Sequence, residues 1–151
     1  MNCPPLQFPP QWPDLRRRSL LVGFPFLGPQ VGAYHHLCGQ LSQRTPDWWS
    51  LWEPDATRRQ AAQFVAGILA DELEWPSLIL HPDDPFELVF WDHKSCAIDD
   101  LSFAGAICTI ESHFNANVSV MQFEKLAGGT VGEYVNFLLG RIGPGSHAAQ
   151  P

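Results

Sequence analysis

The stretch DDLSFAGAICTIESHF, residues 99–114, is the strongest fold signal in the chain. Its large apolar residues recur three or four positions apart, a spacing that places them on one face of an α-helix. Asp99 or Asp100 is expected to cap this helix, because a carboxylate accepts hydrogen bonds from the free backbone N–H groups of the first turn. We interpret Cys108, beside the apolar face, as a small core residue. The residues of that face are Phe103, Ile107, Ile110 and Phe114.

The region before this stretch predicts one long helix and one long loop. Residues 56–74 carry apolar residues at helical spacing, starting after Pro54-Asp55 and stopping at Trp75-Pro76. Residues 76–98 lack that spacing. Residues 86–91 have a strand-like composition, but no partner strand is recognisable elsewhere in the sequence, so we expect a loop with at most one helical turn.

Two further helices follow, and all helices together predict an all-α fold. Residues 119–126 are expected to form a short helix with Val120, Phe123 and Leu126 facing inward, ending at Gly128-Gly129. Residues 130–142 open with Thr130 and Glu133 at the spacing of a capping box. We expect one shared core made of Phe64, Ile68, Phe103, Ile107, Phe114, Val135 and Leu138.

The N-terminal third is rich in proline and predicts an irregular extension, residues 1–54, that packs on the domain of residues 55–143. Residues 31–43 within it have the spacing of a short helix. Three indoles, Trp48, Trp49 and Trp52, follow closely, and clustered aromatic side chains usually fold onto a neighbouring helix rather than remain in solvent. Residues 144–151 are expected to form a disordered tail.

The order long helix, long loop, helix, short helix and final helix over residues 56–142 resembles the acyl and peptidyl carrier proteins. Asp99-Asp100-Leu101 stands where that family has an Asp-Ser-Leu triplet, and Thr130-Val131 is similar to the start of the family's last helix. The resemblance implies an all-α, four-helix carrier-protein-like bundle with an irregular, Pro-rich N-terminal extension.

The departure from the family lies at the residue that carries its chemistry. In carrier proteins the serine of the triplet is esterified to phosphopantetheine, whereas this chain has Asp100. A carboxylate lacks the hydroxyl nucleophile that the transferase requires. Ser102 is two residues away, which on a helix rotates its side chain by about 200°, and Ser95 lies in the preceding loop. We therefore expect no cofactor.

Charge distribution favours a protein partner over other ligands. Residues 60–151 contain three basic and twelve acidic residues, and the whole chain has a net charge of −7. An acidic body repels nucleic acid and anionic lipid, and no apolar run approaches the roughly 20 residues of a membrane span. The resemblance implies docking through the acidic helix, so Asp99, Asp100 and Glu111 are the predicted partner-binding residues, for a protein with a basic patch. Asp99 and Asp100 could also serve only as helix caps.

We therefore expect a cytoplasmic, non-catalytic binding or accessory module rather than an enzyme. One alternative is an acyl or peptidyl carrier protein modified at an unconventional serine. Another is a small hydrolase with a carboxylate–histidine site in the 81–93 loop, using Asp83 or Asp92 with His93. The acidic sequence His81-Pro82-Asp83-Asp84 is interpreted as a solvated turn, and no metal site is predicted, because the four cysteines form no CxxC pair.

The missing serine leads to a direct test by mass spectrometry. After co-expression with a promiscuous phosphopantetheinyl transferase, the purified protein is expected to keep its unmodified mass, because Asp100 offers no hydroxyl. An increase equal to one phosphopantetheine would contradict this expectation. Repeating the experiment with Ser102→Ala and Ser95→Ala would then identify the modified residue.

Overall fold

A computed structural model describes residues 4–10, 12, 29–76, 78–91 and 101–140, and these are mostly helical. Within these ranges no β-strand occurs, and only an isolated backbone bridge joins Pro85 to Thr130. The prediction of an all-α fold is thus confirmed. The helices are α1 (Pro29–Leu41), the 3-10 helix η1 (Pro46–Trp52), α2 (Ala56–Glu72), α3 (Phe86–Val89), α4 (Leu101–Phe114), α5 (Val120–Ala127) and α6 (Val131–Leu138).

Local capping interactions explain where the helices begin. The Asp55 side chain accepts a hydrogen bond from the Arg58 backbone N–H, 3.0 Å away, at the start of α2. The predicted capping box of α6 is present: Glu133 N–H donates to the Thr130 hydroxyl, and the Glu133 carboxylate accepts from Thr130 N–H. These contacts satisfy N–H groups that have no partner inside a helix, so the starts could be read from the sequence.

The helix ends agree less closely with the sequence prediction. At the end of α4, Asn115 has a φ of 50°, a left-handed conformation that asparagine tolerates, and this agrees with the expected stop. The prediction that the last helix reaches residue 142 is wrong, because α6 ends at Leu138 and Gly140 has a φ of 67°. A glycine takes up this conformation at little cost and breaks the helical path. The predicted tail, residues 144–151, lies outside the described residues.

The core is centred on α2, which packs against η1, α4 and α6. Val135 and Leu138 are buried as predicted. The prediction is confirmed only in part for five other residues, which pack against the core but are half-buried at its edge: Phe64, Ile68, Phe103, Ile107 and Phe114.

Small side chains explain why these bulky residues lie at the edge of the core. The buried face of α2 contains Ala61, Ala62 and Ala66 beside Val65 and Leu69, and the buried residues of α4 are Ala106 and Ile110. Alanines let two helices approach closely, so the bulky residues next to them are displaced towards the rim. Cys108 is exposed, so its interpretation as a core residue was also wrong.

Residues of the N-terminal third take part in the same core. The predicted short helix is present as α1. Trp52 is fully buried, and its indole N–H donates to the Leu80 carbonyl at 2.8 Å, whereas Trp48 and Trp49 are half-buried. Further buried residues from this part of the chain are Leu6, Trp12, Ala33, Leu37 and Leu41. The extension is therefore less irregular than expected, with both α1 and η1 inside it.

The start of α6 rests directly on the loop that precedes α3. The Gly132 N–H donates to the Pro82 carbonyl at 2.8 Å, and Val131 N–H donates to the Asp84 carbonyl at 2.9 Å. A Cβ added at Gly132 would lie 2.7 Å from the Pro82 oxygen and 2.9 Å from Nη2 of Arg58. Only glycine permits this close approach of helix and loop.

We expect Gly132→Ala to lower the free energy of unfolding by about 1–3 kcal/mol, because the new methyl group displaces the backbone of the loop. Gly67→Ala is the matched control, since a Cβ at this exposed position in α2 meets no atom within 4 Å. That control should gain about 0.5–1 kcal/mol through its higher helix propensity. Urea unfolding of both variants measures the difference, and a shift in the same direction for both would contradict the packing described here.

Candidate partner-binding surface

The predicted acidic docking residues are described only in part. Asp99 and Asp100 lie outside the described residues, as do Ser95, Asp92 and His93. Glu111 is half-buried on α4, and its Oε1 accepts a hydrogen bond from the Val118 backbone N–H at 3.3 Å. Glu111 therefore stabilises the connection between α4 and α5 through this hydrogen bond, in addition to carrying a charge.

Glu111 also affects a buried phenol behind it. Tyr134 is fully buried, and no hydrogen-bond partner of its hydroxyl is found among the described residues. Burial raises the pKa of Tyr134, and the negative charge of Glu111 raises it further. The phenol is neutral at physiological pH and packs edge-on against Phe86 and Phe90. It contributes to an aromatic core and offers no reactive group at the surface.

Helix α5, which follows α4 in the chain, exposes two large apolar side chains. Val120 is 77% exposed and Met121 is 73% exposed. The expectation that Val120 faces inward was therefore wrong, although Phe123 and Leu126 do pack against the core. The reason is that α5 packs on α3, which has only four residues, and the aromatic contacts of this junction centre on Phe123. The first turn of α5 extends beyond this support.

Val120, Met121 and the neighbouring Glu111 and Glu124 form what we call the α5 tip. Glu124 is exposed, and Glu111 reaches Val118, two residues before Val120. These two residues form a small exposed apolar patch, and an apolar patch rimmed by polar residues is a feature of protein-binding surfaces. The α5 tip combines such residues with two carboxylates.

The acidic sequence at residues 81–84 is not a solvated turn, which corrects the sequence interpretation. Asp84 is completely buried and forms an ion pair with Arg44, whose side chain is 1% exposed. The two guanidinium nitrogens lie 2.6 Å from the two carboxylate oxygens. The sequence carries no local signal for this pair, because its members are 40 positions apart.

The Asp84 carboxylate is fully satisfied by its surroundings. Leu6 N–H donates to Oδ1 and His81 N–H donates to Oδ2, each at 2.8 Å. Nη1 of Arg44 also donates to the Ile79 carbonyl at 2.6 Å. A buried ion pair is tolerated only when such hydrogen bonds replace the lost water. The role of Asp84 is therefore to join three distant parts of the chain.

Of the predicted hydrolytic site, Asp83 or Asp92 with His93, only Asp83 lies within the described residues. His81 is buried, and its Nδ1 accepts a hydrogen bond from the Asp83 backbone N–H at 3.0 Å. The Asp83 side chain is 76% exposed, and its Oδ2 is 3.9 Å from His81 Nδ1. Across the described ranges, no group of three His, Cys, Asp or Glu side chains is placed to hold a metal ion.

Cys38 also has no features of a reactive thiol. Burial raises the pKa of its thiol, although a hydrogen bond with Tyr34 opposes that change. Burial and contact with Cys38 raise the pKa of Tyr34 to about 12. Both groups are therefore protonated at neutral pH, and a thiol is a poor nucleophile compared with a thiolate.

Part of the surface near Asp83 is concave. The N-terminal strap, defined as residues 4–10 with Trp12, lies alongside α3 and is held by hydrogen bonds from Leu6 to Asp84 and from Trp12 to Glu87. Between the strap and the turn that connects α5 to α6 is a cleft of about 350 Å³, the strap cleft. It is lined by Phe8, Asp83, Pro85, Glu87, Ala127, Gly128, Gly129 and Thr130.

Comparisons with protein-family models, with curated proteins and with solved structures yield no match for this chain. In the part of the chain that the structure describes, no helix has the length and apolar character needed to cross a membrane. The assignment of a function therefore depends on the surface geometry and on the sequence resemblance.

The Arg44–Asp84 pair leads to a prediction about stability. Arg44→Met is expected to lower the free energy of unfolding by about 3–5 kcal/mol, because it leaves a buried carboxylate without its counter-charge. The matched control is Arg59→Met, which breaks the exposed pair between Arg59 and Glu53 and should cost less than about 1 kcal/mol. Urea unfolding followed by tryptophan fluorescence measures both.

The double variant Arg44→Met/Asp84→Leu tests the cause of that loss. Removing the carboxylate as well should restore part of the stability lost in Arg44→Met, because no uncompensated charge then remains in the core. Equal losses in Arg44→Met and Arg59→Met would contradict the central role assigned to the buried pair.

Proposed function

We propose that this chain is a non-catalytic, carrier-protein-like binding or accessory module that docks a protein partner with a basic patch and carries no phosphopantetheine. The observation on which the proposal rests is the α5 tip, where Val120 and Met121 are 77% and 73% exposed beside Glu111 and Glu124. An apolar centre with a charged rim is the usual composition of a protein-binding surface.

The order and packing of the helices support the carrier-like part of the proposal. Helix α2 packs against α4 and α6, and α5 is the short helix between them in sequence. This order and packing support a four-helix carrier-like bundle, with α3 as an added turn in the long loop. Asp100 in place of the family's serine favours a binding role over cargo transport.

The chemistry of the α5 tip defines the expected partner. Val120 and Met121 fit an apolar pocket, and methionine is well suited to this because its flexible thioether adapts to irregular surfaces. The two glutamates favour lysine or arginine around that pocket, and the acidic balance of residues 60–151 extends the same preference over a wider area. We expect the complex to weaken as salt concentration rises, because exposed charges are screened.

Site-specific cross-linking tests this proposal in the full-length chain. A photoreactive benzoylphenylalanine at position 121 should form one discrete protein adduct in the cells that naturally produce this chain. The same group at Gln63, an exposed position on α2, is the control and should form none. An additional Val120→Glu substitution should abolish the adduct, because it places a charge at the centre of the apolar surface.

Thermal unfolding shows whether the substitutions act on docking alone. Val120 makes little contact with the core, so Val120→Glu should leave the unfolding midpoint unchanged. The same adduct from positions 121 and 63, or no adduct from either, would contradict docking through the α5 tip. The alternative of a carrier modified at another serine is separated by the mass measurement, which is independent of docking.

A further inference from the structure

We propose that the strap cleft receives an arginine side chain of the docked partner, an inference that rests on the proposed function. The cleft holds about 350 Å³, which is large enough for a guanidinium group and its aliphatic stem. It lies at the C-terminal end of α5, whereas the α5 tip lies at the N-terminal end. The two sites therefore share one helix.

An aromatic ring and two carboxylates line this cleft. Phe8 lines the cleft and is 45% exposed, so part of its ring is accessible to a ligand, while the ring also contacts Trp12 with 5.8 Å between the ring centroids. Asp83 contributes a carboxylate that is 76% exposed. The Glu87 carboxylate is held in position because its Oε1 accepts a hydrogen bond from the Trp12 indole at 3.0 Å. A cation in the cleft would meet negative charge together with the π-face of a ring.

The third contribution comes from the end of a helix. Ala127 is the last residue of α5 and Gly128 is its C-cap, and both line the cleft. The C-terminal end of a helix carries a partial negative charge, because its last carbonyl groups point outward along the axis. Lys125 lies in the last turn of α5 but does not line the cleft. The carboxylates and the ring favour a positive ligand, whereas the negative end of α5 is opposed by the positive end of α6, whose N-cap Thr130 also lines the cleft.

The shape and chemistry of the cleft favour arginine over lysine. A guanidinium group is planar and can stack on the Phe8 ring while its N–H groups point to the carboxylates. It is also less strongly hydrated than an ammonium group, so its entry into a cleft with the apolar walls of Pro85 and Ala127 costs less.

The distance between the two sites fits a single partner. Val120 and Ala127 are seven residues apart, which corresponds to about 10 Å along the helix axis. A partner that covers Val120 and Met121 can therefore place one arginine in the cleft without leaving the same interface, since an ordinary interface covers about 800 Å² on each side. The partner then makes two contacts with this chain, one at the α5 tip and one through its arginine.

Titration of the full-length protein with N-acetyl-arginine amide, followed by amide NMR, tests the assignment. We expect concentration-dependent shifts centred on Gly128, Gly129 and Thr130, which line the cleft. N-acetyl-citrulline amide is the neutral isostere and should produce no comparable shifts, because it lacks the positive charge. Equal shifts with both compounds, or none with either, would overturn the inference.

Two variants locate the site, and one controls for total charge. Asp83→Asn and Phe8→Leu should each weaken arginine binding about tenfold, which corresponds to about 1.4 kcal/mol. Asp71→Asn changes the net charge equally but alters an exposed residue on α2 that does not line the cleft, and it should leave the affinity unchanged. Equal weakening by Asp83→Asn and Asp71→Asn would show a general charge effect and overturn the assignment.

The cross-link at position 121 distinguishes this inference from the proposed function. If docking through the α5 tip is correct and the cleft assignment is wrong, the adduct forms while arginine binding is absent or unaffected by Asp83→Asn. If the docking proposal fails, no specific adduct forms, whatever the titration shows. When both are correct, Asp83→Asn weakens arginine binding and reduces the yield of the adduct.

Discussion

The ion pair between Arg44 and Asp84 is the contact on which the arrangement of this chain depends. Both side chains are essentially without solvent exposure, and two parallel hydrogen bonds of 2.6 Å join them. A buried carboxylate must have its charge and its lone pairs satisfied, and Asp84 meets this requirement with N–H groups from Leu6 and His81. The pair therefore couples the N-terminal strap, the segment after α1 and the loop before α3. Loss of the loop before α3 would leave both Arg44 and the Leu6 N–H without their partner, and loss of the segment after α1 would leave the Asp84 carboxylate without its counter-charge.

The same loop determines the position of the last helix and hence of both proposed binding sites. The carbonyl groups of Pro82 and Asp84 accept hydrogen bonds from the first turn of α6, and Gly132 allows the close approach. The Phe86 N–H donates to the Gly129 carbonyl at 3.0 Å, so the turn between α5 and α6 is fixed against the start of α3. Consequently α5 is supported at its C-terminal end and around Phe123, while its first turn extends into solvent with Val120 and Met121.

The acidic residues differ in their burial and in their contacts. Asp84 is buried in its ion pair with Arg44. The Glu111 carboxylate is half-buried and accepts a hydrogen bond from the Val118 N–H. Asp83 and Glu124 are exposed, one at the strap cleft and the other at the α5 tip. A partner with apolar and basic groups can meet both sites along one helix. The proposed docking module without phosphopantetheine rests on these exposed groups and on Asp100, which stands where the resembled family has a serine.

Local signals in the sequence predicted the longer α-helices and several of their caps, but not the 3-10 helix η1. The Thr130 and Glu133 capping box and the Asp55 cap involve residues three positions apart, so their geometry follows from the chain itself. Burial within α2 and α4 could not be read in this way, because the alanines of α2 and the position of Phe103 depend on which helix packs against them. The Arg44–Asp84 pair and the strap cleft each join segments that are distant in sequence. The exposure of Val120 depends on where α5 packs against the rest of the chain. Such contacts arise only when the chain is packed, since hydrophobic periodicity shows that a face is buried but not which charged residue at a remote position will be enclosed with it.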